Sequence, residues 1–327
     1  MPRIAFFGSD AIAVPALEYL QWAEGVELVG VVSQPNRPAG RGRHLHANAV
    51  AAWAAAKGVP LLQPEKPGAE EAMWLRAQRV DLVLVMAYGH ILRRELLEAA
   101  PRGMWNLHAS LLPKYRGASP VETALACGEK QTGVTLMRMA EKMDAGAVAG
   151  MEKVPILPSD TGAILRERVA QACVPLLQRH LHALGDGFIK TEVQDELRVT
   201  YTRKLTKADA QMDWSAPAKM LACKVRAFLV WPGTQIEHGG QVIKIGAASA
   251  LEDTTTLSPG AILRANALGV DVATGEGVLR LLQLQRAGGR MLEVGEFLRG
   301  YPIAAGEVLP GHTLRPLVAG RPFPKSG

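Results

Sequence analysis

Three stretches in the first 90 residues, at 4–8, 26–33 and 80–86, are apolar at almost every position. A strand wetted on one face alternates polar and apolar residues, whereas a strand covered on both faces does not. Helical patterns lie between these runs: 14–22 with Pro15 in its first turn, 47–57 stopped by Gly58, and 70–78. A further short strand is expected at 59–62. Doubly buried strands joined by helices specify an α/β fold, a Rossmann-like and mostly parallel sheet with helices on both faces.

In such sheets ligands sit outside the carboxyl ends of the strands. Those ends are Gly8-Ser9-Asp10, Ser33-Gln34-Pro35, Ala87-Tyr88-Gly89 and Asn106-Leu107-His108. Gly8 opens no complete GxGxxG, so a tight strand-to-helix turn is preferred there over a dinucleotide site. Farther on, 161–184 is helical, with Pro175 expected to kink or divide it. A polar stretch around Arg203, Lys204 and Lys207 reads as a linker. Beyond it, short strands at 235–237, 241–245, 260–263, 269–273 and 278–282 are separated by Gly-rich turns. This texture suits a small, OB-like β-barrel or a sandwich. At 327 residues two cores are the default, and the expected division is 1–190, a linker at 191–206, and 207–327.

The net charge is +6. Residues 207–327 hold 13 Lys+Arg and 10 Asp+Glu, hence +3, and the remainder holds 24 and 21, also +3. The excess is therefore expected to be spread along the chain and not to form a basic tail; it is compatible with an anionic partner. Cys127, Cys173 and Cys223 form no CxxC pair, which favours a reducing, cytoplasmic setting over a disulfide framework. The N-terminus starts directly on a strand, without a signal-peptide layout, and no apolar run is long enough for a bilayer. No ligand spacing points to a metal.

Asn106 and His108 are two residues apart at a strand end, so an extended backbone points both to one side. Taken singly, Asn106, His108 and Asp144 each fit a cap or a solvated loop residue. Together, a neutral donor, a titratable ring and a carboxylate suit attack on a formyl or acyl carbon. Asn106 and protonated His108 can donate to the developing oxyanion, and Asp144 can take up the proton of an attacking amine, directly or through water. A substrate that brings its own nucleophile needs no Ser or Cys from the protein.

The run from Asn106 through Ser110, Leu111, Leu112 and Pro113 to Ala118, followed by Met143-Asp144-Ala145-Gly146, resembles the 10-formyltetrahydrofolate-dependent formyltransferases. Further segments resemble the branch whose acceptor is the amino group of methionyl initiator tRNA. They are 34–43, Val85-Met86-Ala87-Tyr88-Gly89, Val193-Gln194-Asp195, 201–205, Asp213-Trp214, Arg226-Ala227-Phe228 and Trp231-Pro232-Gly233. The resemblance runs in order over nearly the whole chain. It implies a formyltransferase catalytic domain with Asn106, His108 and Asp144 as catalytic residues. Ser110, Leu111, Leu112 and Pro113 would line the formylfolate site, and Met86, Ala87, Tyr88 and Gly89 the pterin pocket, chiefly through backbone. Arg37, Arg41 and Arg43 would meet the tRNA acceptor end, with Lys204 and Lys207 as further tRNA contacts and the β-rich C-terminal domain binding tRNA. The implied donor is 10-formyltetrahydrofolate, the partner initiator methionyl-tRNA, and the state a monomer.

Two other readings stand beside this one. A formyltransferase for a small amine, or a formyltetrahydrofolate hydrolase, keeps the chemistry but gives no reason for a second, all-β domain. A non-catalytic RNA-binding module would bind tRNA without formyl transfer, and the trio of Asn106, His108 and Asp144 speaks against it.

Overall fold

A computed structural model describes residues 1–39 and 44–324. The chain forms two compact units. The first comprises Met1–Gly117, Thr132–Pro155 and Arg166–Tyr201, and the second Ala118–Gln131, Ile156–Leu165 and Thr202–Gly327.

The first unit is built on seven strands: β1 (Arg3–Gly8), β2 (Glu27–Val32), β3 (Leu61–Leu62), β4 (Leu82–Met86), β5 (Met104–His108), β6 (Gln131–Arg138) and β7 (Val148–Pro155). Their order in the sheet is β7-β6-β5-β4-β1-β2-β3. The five strands from β3 to β5 run parallel, and β6 adds to β5 antiparallel. Every residue of β4 is buried, as its unbroken apolar run requires. The chain winds outward from β1 through β2 to β3, then crosses to β4 and β5 on the other side. Strand order therefore reverses between β1 and β4, and the crevice at their carboxyl ends is where such a sheet binds ligands.

Helix caps reinforce that edge. The Asp10 carboxylate accepts from the Ile12 N–H (3.0 Å) at the entry to helix α1 (Val14–Trp22). Asn48 caps helix α2 (Ala49–Lys57) by accepting from the Ala51 N–H (3.0 Å). Gly58 closes α2 at φ 66°, a left-handed conformation that glycine adopts without penalty. Helix α3 (Ala69–Ala77) covers the sheet farther along. Helix α4 (Gly162–Asp186) continues through Pro175. Of the kink or break expected at Pro175, the break does not occur, because a proline removes only one backbone donor and packing retains the helix. No helix of the described residues is long and apolar enough to cross a membrane.

The second unit carries an antiparallel sheet of β8 (Gln235–His238), β9 (Gln241–Leu251), β10 (Ile262–Asn266), β11 (Gly269–Ala273) and β12 (Val278–Arg286), in the order β8-β9-β12-β11-β10. A two-residue β13 (Leu292–Glu293) pairs with β12. All five strands expected from the Gly-punctuated texture form. Register shifts near Ala247 break the β9–β12 ladder, the kind of bulge that bends a sheet into a half-barrel. Helix α5 (Ala218–Phe228) contributes Leu221 and Val225 to the core beside Ile243, Leu279, Leu281 and Trp214. Trp214 anchors this core and donates its indole N–H to the Pro310 carbonyl (3.1 Å). Trp231 does not share that role and is about half exposed.

Helix α5 also buries the Lys224 ammonium, which donates to the Gln211 carbonyl. Desolvation pushes its pKa down to about 8, against the opposing pull of Asp209 and Asp213. Between about pH 8 and the usual lysine value, the unfolded chain therefore binds the proton that the folded chain has released. Stability supplied by this site rises with pH across that window, by at most about 1.4 kcal/mol per pH unit. Chemical denaturation of wild type and Lys224→Met at pH 8 and pH 10 measures it. The wild type is expected to gain stability relative to the variant between the two, and a constant difference would show that Lys224 is not desolvated.

Candidate active site

β5 lies beside β4, one strand from the reversal, and carries Asn106 and His108 two positions apart, on one face of the strand. His108 is 6% exposed, and its Nε2 lies 2.9 Å from the Tyr115 carbonyl. A carbonyl oxygen can only accept, so Nε2 carries a hydrogen, and Nδ1 is the ring atom left to exchange a proton. Nδ1 lies 3.7 Å from Asp144 Oδ2, within ion-pair range and beyond hydrogen-bond range. Asn106 is half-buried. Among the described residues its carboxamide has no hydrogen-bond partner, so its donors and acceptor are available to a ligand.

Asp144 is held firmly by its neighbours. Its Oδ2 accepts from the Gly117 N–H (2.8 Å). Gln194 Nε2 donates to the carbonyls of Asp144 and Gly146, both at 2.8 Å. Gln194 Oε1 in turn accepts from the fully buried Arg116 guanidinium (2.9 Å). A Cβ on Gly146 would lie 1.7 Å from the Arg138 carbonyl oxygen, so this loop closes on the end of β6 at a distance only glycine allows. Among the described residues, five non-glycines have positive φ: Arg79, Ala87, Tyr115, Ser119 and Asp144. Ala87, Tyr115 and Asp144 all belong to loops at this site, where strained backbone tends to be concentrated.

The segment after His108 is fastened from within. The Ser110 hydroxyl is buried and donates to the Lys114 carbonyl (2.8 Å). Thr135 on β6 accepts from the Leu112 N–H (3.1 Å) and donates to the Ser110 carbonyl (2.6 Å). Leu112 is buried, while Leu111 and Pro113 are partly exposed. Across the crevice three strand ends meet at the Tyr88 carbonyl, which accepts from Ser9 Oγ (3.3 Å) and Gln34 Nε2 (2.8 Å). Met86 and Tyr88 turn their side chains into the core, at 1% and 2% exposure. Ala87 and Gly89 are exposed, with φ of 47° and 81°. Within this segment, then, only Ala87 and Gly89 are exposed.

The basic-loop residues are placed only in part. Arg37 is exposed and pairs with Glu65 (2.6 Å), and Arg41 and Arg43 lie outside the described residues. Lys204 and Lys207 are exposed in the second unit. Sequence reasoning assigned no role to Gln194, Arg116, Thr135, Ser9 or Gln34. The signal for Gln194, Arg116 and Gln34 was available, since all three fall within segments that carry the family resemblance.

Comparisons with known proteins place the chain in a family. The formyl transferase profile matches residues 2–181, and the formyl transferase C-terminal domain profile matches 204–302. A methionyl-tRNA formyltransferase of Xylella fastidiosa strain M23 is 41% identical over 299 residues, 90% of this chain and 96% of that protein. One of Halorhodospira halophila is 41% identical over 305 residues, 93% of this chain and 98% of that protein. Among solved structures, an N-formyltransferase of Helicobacter canadensis with folinic acid and dTDP-3-aminofucose aligns at TM-score 0.66 and 17% identity. That alignment covers 88% of this chain and all of the other, and it supports the fold alone.

Proposed function

Because the chain belongs to the formyl transferase family, we propose that it moves the formyl group of 10-formyltetrahydrofolate to the α-amino group of methionyl initiator tRNA. The product is formylmethionyl-tRNA for translation initiation. The observation that carries this reading is the His108–Asp144 pair beside the unpartnered carboxamide of Asn106, at the carboxyl end of β5.

An unpartnered carboxamide fits a ligand that presents a carbonyl. Asn106 would donate to the formyl oxygen as negative charge develops on it, and His108 would donate to the same oxygen through Nδ1 when protonated. Asp144 takes the proton lost by the attacking amine, directly or through water. The new C–N bond forms as the bond from the formyl carbon to the donor nitrogen breaks, and that nitrogen recovers a proton. Ala87 and Gly89 would offer backbone to the donor's ring system, and the Ser110–Pro113 segment would form the facing wall. No covalent bond to the protein is required.

Arg37, Arg41, Arg43, Lys204 and Lys207 are proposed to neutralise tRNA phosphates, with the protein acting as a monomer in the cytoplasm. Arg41→Glu is expected to lower kcat/KM for methionyl-tRNA by about tenfold or more, with the loss growing as salt is reduced. Initial rates over a tRNA concentration series test this, and an unchanged kcat/KM would remove the loop from tRNA recognition.

A further inference from the structure

The charge of the second unit is uneven along its sequence. Residues 207–310 hold ten Lys+Arg and ten Asp+Glu, whereas residues 311–327 hold Arg315, Arg321 and Lys325 and no acidic residue. The whole +3 of 207–327 therefore lies in its last 17 residues. Averaging over the larger segment conceals a basic tail, and that tail lies beyond residue 302, where the C-terminal family match ends.

Its described part, residues 311–324, is folded back on the start of the unit. Arg203, 9% exposed, donates Nε to the Pro316 carbonyl (2.9 Å) and Nη2 to the Arg315 carbonyl (2.8 Å). The same guanidinium holds the buried Asp209 carboxylate through two bonds, at 2.8 and 2.5 Å. Arg203 is thus a saturated and neutralised strut. It leaves an open cleft of about 240 Å³ between the two segments, lined in part by Arg203, Lys204, Asp209, Thr313, Arg315 and Phe323. Arg203 and Asp209 cancel, so Lys204 and Arg315, both exposed, set the sign of the cleft. The Arg315 guanidinium lies over the Phe323 ring, 5.2 Å from its centroid, as a planar cation backed by an aromatic face.

We propose that this cleft is an RNA subsite, with a backbone phosphate seated between Lys204 and Arg315 and a base stacked on the Arg315–Phe323 pair. Two cations that pair with no carboxylate of the described residues, beside a guanidinium–aromatic plane, match the chemistry of a phosphodiester with its adjoining base. Lys204 belongs to the tRNA contacts already proposed; the surface built by residues 313–324 is new. The assignment rests on the reading that the acceptor is a tRNA. It makes the tail a source of affinity and leaves the chemical step untouched.

The test is equilibrium binding of deacylated tRNA over a salt series, together with formyl transfer at saturating charged tRNA, for wild type, Arg315→Ala, Arg315→Lys, Phe323→Ala and the Arg315→Ala/Phe323→Ala pair. Arg203 grips the Arg315 backbone, so side-chain changes leave the tail docked and melting temperatures are expected to match wild type. Each alanine variant should weaken tRNA binding about three- to tenfold. Arg315→Ala should also lower the slope of log Kd against log salt by about one, while Arg315→Lys retains the slope and recovers only part of the affinity. Turnover at saturation should stay at the wild-type value. An unchanged Kd and slope in the double variant, with wild type binding tRNA normally, would overturn the subsite. Failure of wild type to bind or formylate methionyl-tRNA would overturn the functional reading beneath it.

Discussion

Asn106→Ala is expected to lower turnover at saturating substrate by about 10²–10³-fold, the cost of removing one donor to a developing oxyanion. The same change should alter stability by about 1 kcal/mol or less. Asn106 sits on β5 between Val85 of β4 and Met137 of β6, and its backbone contribution to the ladder survives the substitution. Its carboxamide is half-buried and makes no bond to a described residue. A side chain that holds no described residue yet faces the same side as His108 fits a group whose partner is the substrate. Steady-state kinetics and thermal melting on the same samples separate the two effects. A melting temperature that fell together with the rate would recast Asn106 as structural.

The second large effect is expected at a residue that touches no substrate. In Gly146→Ala, the added Cβ would meet the Arg138 carbonyl oxygen at 1.7 Å, so the backbone of the loop must move. Forced overpacking of this kind costs about 1–3 kcal/mol. The same loop carries Asp144 and is pinned by Gln194 through the carbonyls of Asp144 and Gly146. A displacement on the order of 1 Å at Asp144 is enough to lower turnover by about 10²-fold. Gly300→Ala is the control, since a Cβ there meets nothing within 4 Å, and it is expected to be neutral in both readouts. If Gly146→Ala kept wild-type turnover at a temperature where it is folded, the placement of Asp144 would not matter to the reaction.

What could be read in advance follows from how each feature is encoded. The sheet was legible because a doubly buried strand such as β4 must be apolar throughout, and that is a local pattern. Asn106 and His108 were legible because the two-residue period of a strand puts them on one face, and Asp144 because its motif carries a family resemblance. The bonds that hold Asp144 were not, although Arg116 and Gln194 themselves fall within segments that carry the resemblance. Arg116 and Gln194 are 78 residues apart, and Gln194 and Asp144 are 50 apart, and no periodicity links polar partners at such separations. Pro175 does not divide α4 because propensity is local, while packing along the helix outweighs the loss of a single backbone bond. The basic tail was hidden by averaging, and its docking on Arg203 depends on backbone carbonyls that have no sequence signature.

The most direct test of the account is single-turnover formylation with the protein in excess over methionyl-tRNA and 10-formyltetrahydrofolate supplied. Wild type is compared with Asp144→Asn, in which the charge is removed and the shape kept, and the released amino acid is analysed for its formyl group. The account predicts N-formylmethionine from wild type and a rate lower by about 10²-fold or more in the variant. No formylmethionine from wild type, or an undiminished rate in Asp144→Asn, would contradict it.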